Sequence, residues 1–444
     1  MKHPHKIDRS QYTTKKEEIQ TSNSNKRKTM SSPETEFHEP AQVVIAGAGI
    51  VGLVLALALK KHVGITAELY EKAHVFHDDV GAALGFYPNG MRVLRDIDPE
   101  LLYAIKEKGF PFVYRRWERH DGTEIAEAKE SVLSEGDEEL DSVGIRRWRL
   151  QKVLYEHVLA AGIPVHFCKA TSDVVERKDG LVEVSFEDGT TRLTRILFGV
   201  DGGKSTVRQK VADPSVQLRY TGITCLMGMS NIPSQRLGIN FPCSTSTNCH
   251  SVYFPTGKEE QCFQIHWPLE EEEADQGNWG NLDNALGQEE CRKLAARLRA
   301  DGWHERYCEP LDHVTHAVKV GFCLLEPRLS QWVYGTRGQV VLVGDAAHPP
   351  VPYLGQGAQM GVEVRIGRLL HTLCSLFYHS RYYSITVFVG CRNYCSSNEE
   401  LVLDSKWRIR YHQLFKSHAY LRKNSSPKNF YDIRLLEGTW WYAG

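Results

Sequence analysis

The segment "VVIAGAGIVGLVLALALKK", from Val43 to Lys61, constrains this chain more than any other. Val43, Val44, Ile45 and Ala46 form a short apolar run of the kind that is buried on both faces of a parallel sheet. Gly47, Gly49 and Gly52 follow in GxGxxG spacing, and then an apolar run long enough for a helix. In such a strand–turn–helix unit each glycine has its own task. Gly47 permits the tight turn, Gly49 lets backbone approach a pyrophosphate, and Gly52 lets the helix pack on the strand. The helix amino end offers free N–H groups and roughly half a positive charge to the phosphates. "TAELYEK" supplies a second strand and carries Glu71, nineteen residues past Gly52, where an acid can accept hydrogen bonds from a ribose diol. A dinucleotide site is therefore expected.

Bulk properties narrow the setting. The 444 residues suffice for two ordinary domains or one large composite one. Fifty-four basic residues against 55 acidic ones leave a net charge of −1, which gives no electrostatic case for nucleic acid or an anionic membrane. The longest apolar run, Ile50–Leu59, is far below the ~20 residues that cross a bilayer, so no membrane span is expected. Eleven cysteines lie between Cys168 and Cys395 without a CxxC pair, which argues for reduced thiols, a cytoplasmic setting and no metal site. Residues 1–41 are polar, lack an apolar period, and are predicted to be a disordered tail.

A glycine triplet alone suits a nicotinamide dehydrogenase equally well. Two later segments decide against that reading. "FGVDGGKSTVRQKV" places Asp201 and Gly202 after the strand "RILFGV", with Ser205 and Arg208 following. "GQVVLVGDAAHPP" is another apolar strand, ending in Gly344 and Asp345 and leading to His348. "GQG" at 355–357 then opens a helix. With GxGxxG, DGxxSxxR and GDAAHP in this order, the chain resembles the group A flavoprotein monooxygenases, the salicylate and p-hydroxybenzoate hydroxylase family. The motifs extend from Val43 to Glu363.

The resemblance implies a fold, a cofactor and a chemistry. The fold is α/β, with a Rossmann-type FAD-binding domain and an interleaved antiparallel substrate domain. FAD-binding parts are expected at 42–165, 191–212 and 331–363, a substrate-domain hairpin at 166–190 and a substrate sheet at 213–330. Glu71 would hold the adenosine ribose and Asp345 the ribityl chain. Gly81 and Ala82 would lie against the cofactor. Arg147, in register with Leu150 and Leu154 in "GIRRWRLQKVLYEHV", would contact the flavin, with Arg146 and Arg149 on a solvated helix face. Asp201 and Gly202 would serve both FAD and a transient NAD(P)H. Pro352, whose φ is fixed, would sit near the reacting ring. The helix opening at Gly355, Gln356, Gly357 and Ala358 would aim its amino end at the flavin pyrimidine edge. NAD(P)H would reduce the flavin, O2 would add to give a C4a-hydroperoxide, and the distal oxygen would pass to a phenol- or salicylate-like aromatic or a secondary-metabolite substrate. Catalytic residues are not identified, and His348 is read as shaping a loop. Flavin epoxidation of an isoprenoid and an inactive FAD-binding protein stay open as alternatives.

Two departures from the family pattern matter. Dearomatising relatives place Arg-Gly and Tyr-Pro on two substrate-domain strands, where this chain has Met227-Gly228 and Phe254-Pro255. Methionine and phenylalanine cannot stabilise a phenolate by charge or by O–H donation, so a larger, less acidic aromatic is expected. Tyr220, Tyr253 and His266 are the available polar groups there, read first as packed or surface residues. After Glu363 the expected acid-alanine helix gives way to Val364-Arg365-Ile366. Residues 364 to about 397 lack helical period and read as an unspliced or lineage-specific segment inside an atypical 364–444 region.

Overall fold

Four consecutive apolar residues need cover on both faces, and the strand Ala41–Ala46 finds it at the centre of a sheet. The computed structural model describes residues 39–78, 81–112, 114–129, 140–270, 279–352 and 355–363. The tail before residue 39 and the atypical region after Glu363 lie outside the described residues. The central strand pairs in parallel with Glu68–Tyr70 on one side and with Thr191–Gly199 on the other. Val165–His166 and Val340–Leu342 extend the parallel array outward, and Val333–Tyr334 closes one edge antiparallel. The helix Ile50–Val63 buries Leu53 to Leu59 without a break, as its continuous apolar sequence requires. It ends at Gly64, whose φ of 72° closes the helix in the left-handed conformation. Among the described residues no helix is long and apolar enough to cross a membrane.

A second sheet of eight strands runs Gly280–Asn281, Val314–Glu326, Gln217–Ser230, Glu260–Pro268, Cys249–Gly257, Ile239–Ser244, Tyr114–Arg119, Glu124–Lys129. Its pairings are antiparallel except that Ile239–Ser244 runs parallel to Tyr114–Arg119. The helix Asn284–Ala300 covers one face, packing Cys291, Leu294 and Leu298 with Leu226, Phe263 and Ile265. A small third sheet, Ala83–Phe86, Ser142–Arg146 and Phe110–Phe112, stands against the other face. There Phe112 joins Phe254 and Met229 in one core cluster.

Two segment boundaries differ from the sequence reading. A hairpin forms within 166–190, pairing Thr171–Glu176 with Val182–Phe186, and the Asp188-Gly189 turn, with Gly189 at φ 81°, leads on to Thr191–Gly199. Val182–Phe186 pairs in turn with Thr191–Gly199, so the hairpin extends the first sheet rather than the second. Conversely, Tyr114–Arg119 and Glu124–Lys129, inside the segment 42–165, belong to the second sheet. Local alternation reveals a hairpin but not the edge it will join.

Candidate functional site

The three glycines of the first loop divide their work as the spacing predicts. Gly47 has φ 106°, donates its N–H to the Tyr70 carbonyl at 2.8 Å, and leaves only 2.5 Å between a Cβ and the Val200 carbonyl oxygen. A Cβ on Gly52 would stand 2.1 Å from the Gly47 oxygen. Gly49 meets nothing within 4 Å, so this stretch of backbone is open to a ligand. Glu71 is pinned beside it: one carboxylate oxygen accepts the Ala48 N–H at 2.9 Å and the other accepts the Ala73 N–H at 3.0 Å. Gln151, which sequence reasoning missed, donates from the helix Arg147–Ala160 to the Ala48 carbonyl at 3.1 Å.

Arg147 opens that helix, and its N–H donates to the Ala82 carbonyl at 3.1 Å. Gly81, at φ 78°, leaves just 3.4 Å between a Cβ and the Arg147 side chain. The Arg147 guanidinium is exposed, yet surrounding protein desolvates it and pulls its pKa down, against the opposing charges of Glu71 and Asp345. Asp345, in the turn Gly344–Ala346, is likewise exposed but desolvated. Burial pushes its carboxyl pKa up, partly offset by His348 and Arg147. Solvent access combined with desolvation describes groups on the walls of a concavity. Arg147 thus lies within electrostatic reach of both Glu71 and Asp345, which come from distant parts of the chain. Neither Arg147 nor Asp345 has a side-chain hydrogen bond to another described residue.

The "DGGKS" segment plays a different part at its side chains. Asp201 accepts from Ser205 Oγ at 2.5 Å and from the Val207 N–H at 3.1 Å, while Ser205 Oγ caps the Arg208 N–H at 2.9 Å. The Asp201 carboxylate is therefore committed to the start of the helix Thr206–Val211. Gly202, at φ 82°, faces open space. Arg208 is buried and donates to the Ala346 carbonyl at 2.9 Å and to the Gly203 carbonyl at 2.5 Å. It ties the Asp201 loop to the Asp345 loop.

The final loop closes over Ala83–Phe86. Gly355 donates its N–H to the Pro352 carbonyl at 2.9 Å, and at φ 61° it leaves room for Tyr87, whose hydroxyl would stand 3.0 Å from an added Cβ. Gln356 accepts from Asn89 Nδ2 at 3.0 Å. Gly357 and Ala358 begin the helix described over Gly357–Glu363. Buried Gln359 donates to the Gly85 carbonyl at 2.6 Å. Neither Asn89 nor Gln359 carried a signal in the sequence, because each works by reaching a segment more than 260 residues away.

Arg146 and Arg149 correct the solvated-face expectation. Both pair with Glu260 of the second sheet, at 2.8 and 2.9 Å, so they brace the Arg147 helix against that sheet. Tyr220 bonds Thr224 and the Leu269 carbonyl, and Tyr253 bonds the Tyr307 carbonyl, so both serve packing. His266 is buried, and desolvation together with His250 pushes its pKa down to about 3. His348 is pulled below the usual imidazole range by burial and lies 5.0 Å from the Trp332 ring, consistent with a loop-shaping residue.

The residues present fit FAD. Gly49 gives open backbone for a pyrophosphate, Glu71 gives acceptors for a ribose, and nearby stand a cation and a carboxylate, Arg147 and Asp345, without committed side-chain partners among the described residues. Comparison with known proteins agrees. The FAD binding domain family model matches residues 40–364. The 3-amino-4-hydroxybenzoate 2-monooxygenase of Streptomyces cremeus is 30% identical over 329 residues, 72% of this chain and 76% of that protein. The 6-hydroxynicotinate 3-monooxygenase of Pseudomonas fluorescens is 27% identical, over 72% of this chain and 80% of that one. Among solved structures, HpxO of Klebsiella pneumoniae, complexed with FAD and uric acid, superposes with a TM-score of 0.59 at 22% identity, covering 72% of this chain and 77% of HpxO. The motifs, the site and the family match together make this chain an FAD-dependent monooxygenase of the aromatic hydroxylase family, a flavoprotein oxidoreductase.

Proposed function

We propose that the protein hydroxylates an aromatic substrate with O2, drawing electrons from NAD(P)H. The first sheet and its loops are the FAD-binding part, and the second sheet is the substrate part. The observation that carries this reading is that Arg147 lies within electrostatic reach of both Glu71 and Asp345, with the open backbone at Gly49 beside Glu71. When bound, the flavin supplies electron uptake from the nicotinamide and activation of O2. The chain supplies binding, orientation and shielding from water. Glu71 would hold the adenosine ribose, as its fixed carboxylate suits a diol. Asp345 would accept from polyol hydroxyls and Arg147 would lie along the flavin. Gly81, Ala82, Gly202, Pro352, Gly355, Gln356, Gly357 and Ala358 would contribute backbone, since a side chain at Gly81 or Gly355 is disfavoured by positive φ. The side chain of Asp201 would act through the loop it caps.

Two relatives bear the names of a hydroxybenzoate and a hydroxynicotinate monooxygenase, which supports an oxygenated aromatic ring as substrate. Met227 and Phe254 argue against a mechanism that depends on phenolate stabilisation on the sheet. The test uses full-length purified protein. It should be yellow, and a panel of phenols should stimulate NAD(P)H consumption in air. Protein that stays colourless after incubation with FAD sinks the proposal, and colour without stimulation favours an inactive flavoprotein.

A further inference from the structure

The second sheet has two faces with different fates. Leu226, Tyr253, Phe263 and Ile265 point to the helix Asn284–Ala300, while Met229, Ile239, Phe254 and Cys262 pack with Ala82, Ala83 and Tyr87 of the site. Strand register then identifies the next row on the site-facing side. Met227 pairs with Gln264, Gln264 with Val252, and Phe241 with Trp117. The pairings Asn240 with Tyr253 and Cys243 with His250 set Phe241 opposite Val252. All five residues of this row are half-buried, whereas Met229, Phe254 and Cys262 in the adjoining row are buried. Trp117 and Phe241 stack with centroids 5.8 Å apart and planes inclined by 20°.

A half-buried row of large apolar side chains, on the face turned to the cofactor cleft, is a floor for a ligand. From Met227 to Trp117 it crosses four interstrand steps, about 19 Å at the usual strand spacing. A single substituted benzene ring spans less than half of that. Gln264 is the one side chain in the row that can both donate and accept, and its amide does so without charge, whereas the Trp117 indole offers only an N–H donor. In the row beyond stand exposed His250 and buried His266, and desolvation by the surrounding protein pulls the pKa of both down. The arginines of this face, Arg115 and Arg119, lie on the strand Tyr114–Arg119 at the far end of the row. Arg146 and Arg149 are paired with Glu260. A carboxylate placed over Gln264 would be desolvated without a counter-charge from the described residues of this row.

We propose that the substrate is a neutral, multi-ring aromatic laid along Trp117, Phe241, Val252, Gln264 and Met227, with Gln264 hydrogen-bonding a hydroxyl or ring carbonyl and the Trp117–Phe241 stack gripping the distal ring. This rests on the monooxygenase reading above and departs from the single-ring acids named for two relatives. Trp117 and Gln264 are specificity-determining residues in this account.

The test is a titration of the FAD-loaded full chain with 1-anthrol, phenol and salicylate, following the visible flavin spectrum to obtain each Kd. The three-ring phenol should bind at least about tenfold tighter than salicylate. Trp117→Ala should weaken 1-anthrol by about tenfold and leave phenol unchanged, since one aromatic contact is worth about that factor. Trp117→Phe should retain the preference, and Gln264→Met should weaken both phenols alike. Flavin content and a thermal melt establish that each variant is folded, and Phe241→Leu replaces Trp117→Ala if the latter does not fold. Yellow protein that prefers salicylate, binds none of the three, or keeps its 1-anthrol preference after loss of the stack overturns the inference alone. Protein unable to take up FAD overturns the proposed function and this inference with it.

Discussion

In the proposed cofactor role, Asp345 would serve a ligand at the expense of the empty protein. Burial raises its pKa in the folded state, so its protonated form is the one folding favours. A raised carboxylate pKa contributes stability below the unfolded value of about 4 and loses it as pH rises through the folded value. At neutral pH the ionised Asp345 is therefore a net cost, tempered by Arg147, by His348 and by its own exposure. Asp345→Asn should raise the Tm of FAD-free protein at pH 7 by about 1–2 °C and change it little below pH 4. The same variant should bind FAD at least about tenfold more weakly, through loss of a charged acceptor. Melting curves at the two pH values and a flavin titration check both halves. Equal FAD affinity in variant and parent would count against a cofactor role for this carboxylate.

At the scale of elements, the site is held by ties between segments that are remote in sequence. Arg208 joins the Asp201 loop to the Asp345 loop through the Gly203 and Ala346 carbonyls. Arg146 and Arg149 join the Arg147 helix to the second sheet through Glu260. Gln359 joins the last described helix to the Ala83–Phe86 strand. Replacing Arg208 with Met keeps most of the volume but removes the donors and leaves buried carbonyls unpaired. The expected cost is about 2–3 kcal/mol, seen as a lower urea midpoint, with a parallel fall in retained FAD. A variant with an unaltered midpoint would show that water replaces the guanidinium at no cost. These ties explain why the sequence pattern marks Arg208 yet does not say what it does: DGxxSxxR spacing is local, whereas its hydrogen-bond partner at Ala346 is 138 residues away.

For the molecule as a whole, the proposed FAD site draws on Gly49, Glu71, Gly81, Arg147, Asp345 and Gly357, so FAD would cross-link parts of the chain that are far apart in sequence. Ligand that binds only the native state adds RT ln(1 + [L]/Kd), about 2.7 kcal/mol at a hundredfold excess over Kd. Saturating FAD should raise the Tm of the stripped protein by about 5 °C or more, while NADH or NADPH alone should produce a smaller shift. Differential scanning fluorimetry of stripped protein measures this, and an equal shift with NADH would point to a nicotinamide site instead.

The sequence by itself determined the glycine turn at Gly47–Gly52, the acid at Glu71 beyond the second strand, the strand that leads to Asp345 and the parallel core around Ala41–Ala46. Those features follow from short-range rules: glycine where a side chain would strike backbone, apolar runs where both faces are covered, an acid at a strand end. Tertiary structure alone decided which sheet received the 171–186 hairpin and which took the strand Tyr114–Arg119. It also decided that Arg146, Arg149 and Arg208 are bound inside the protein, and that Trp117 shares a row with Gln264. The physical reason is the same in each case. A sheet edge accepts any strand of suitable pattern, and a long polar side chain accepts any carbonyl or carboxylate within reach, so the outcome depends on distant segments that a local pattern does not encode.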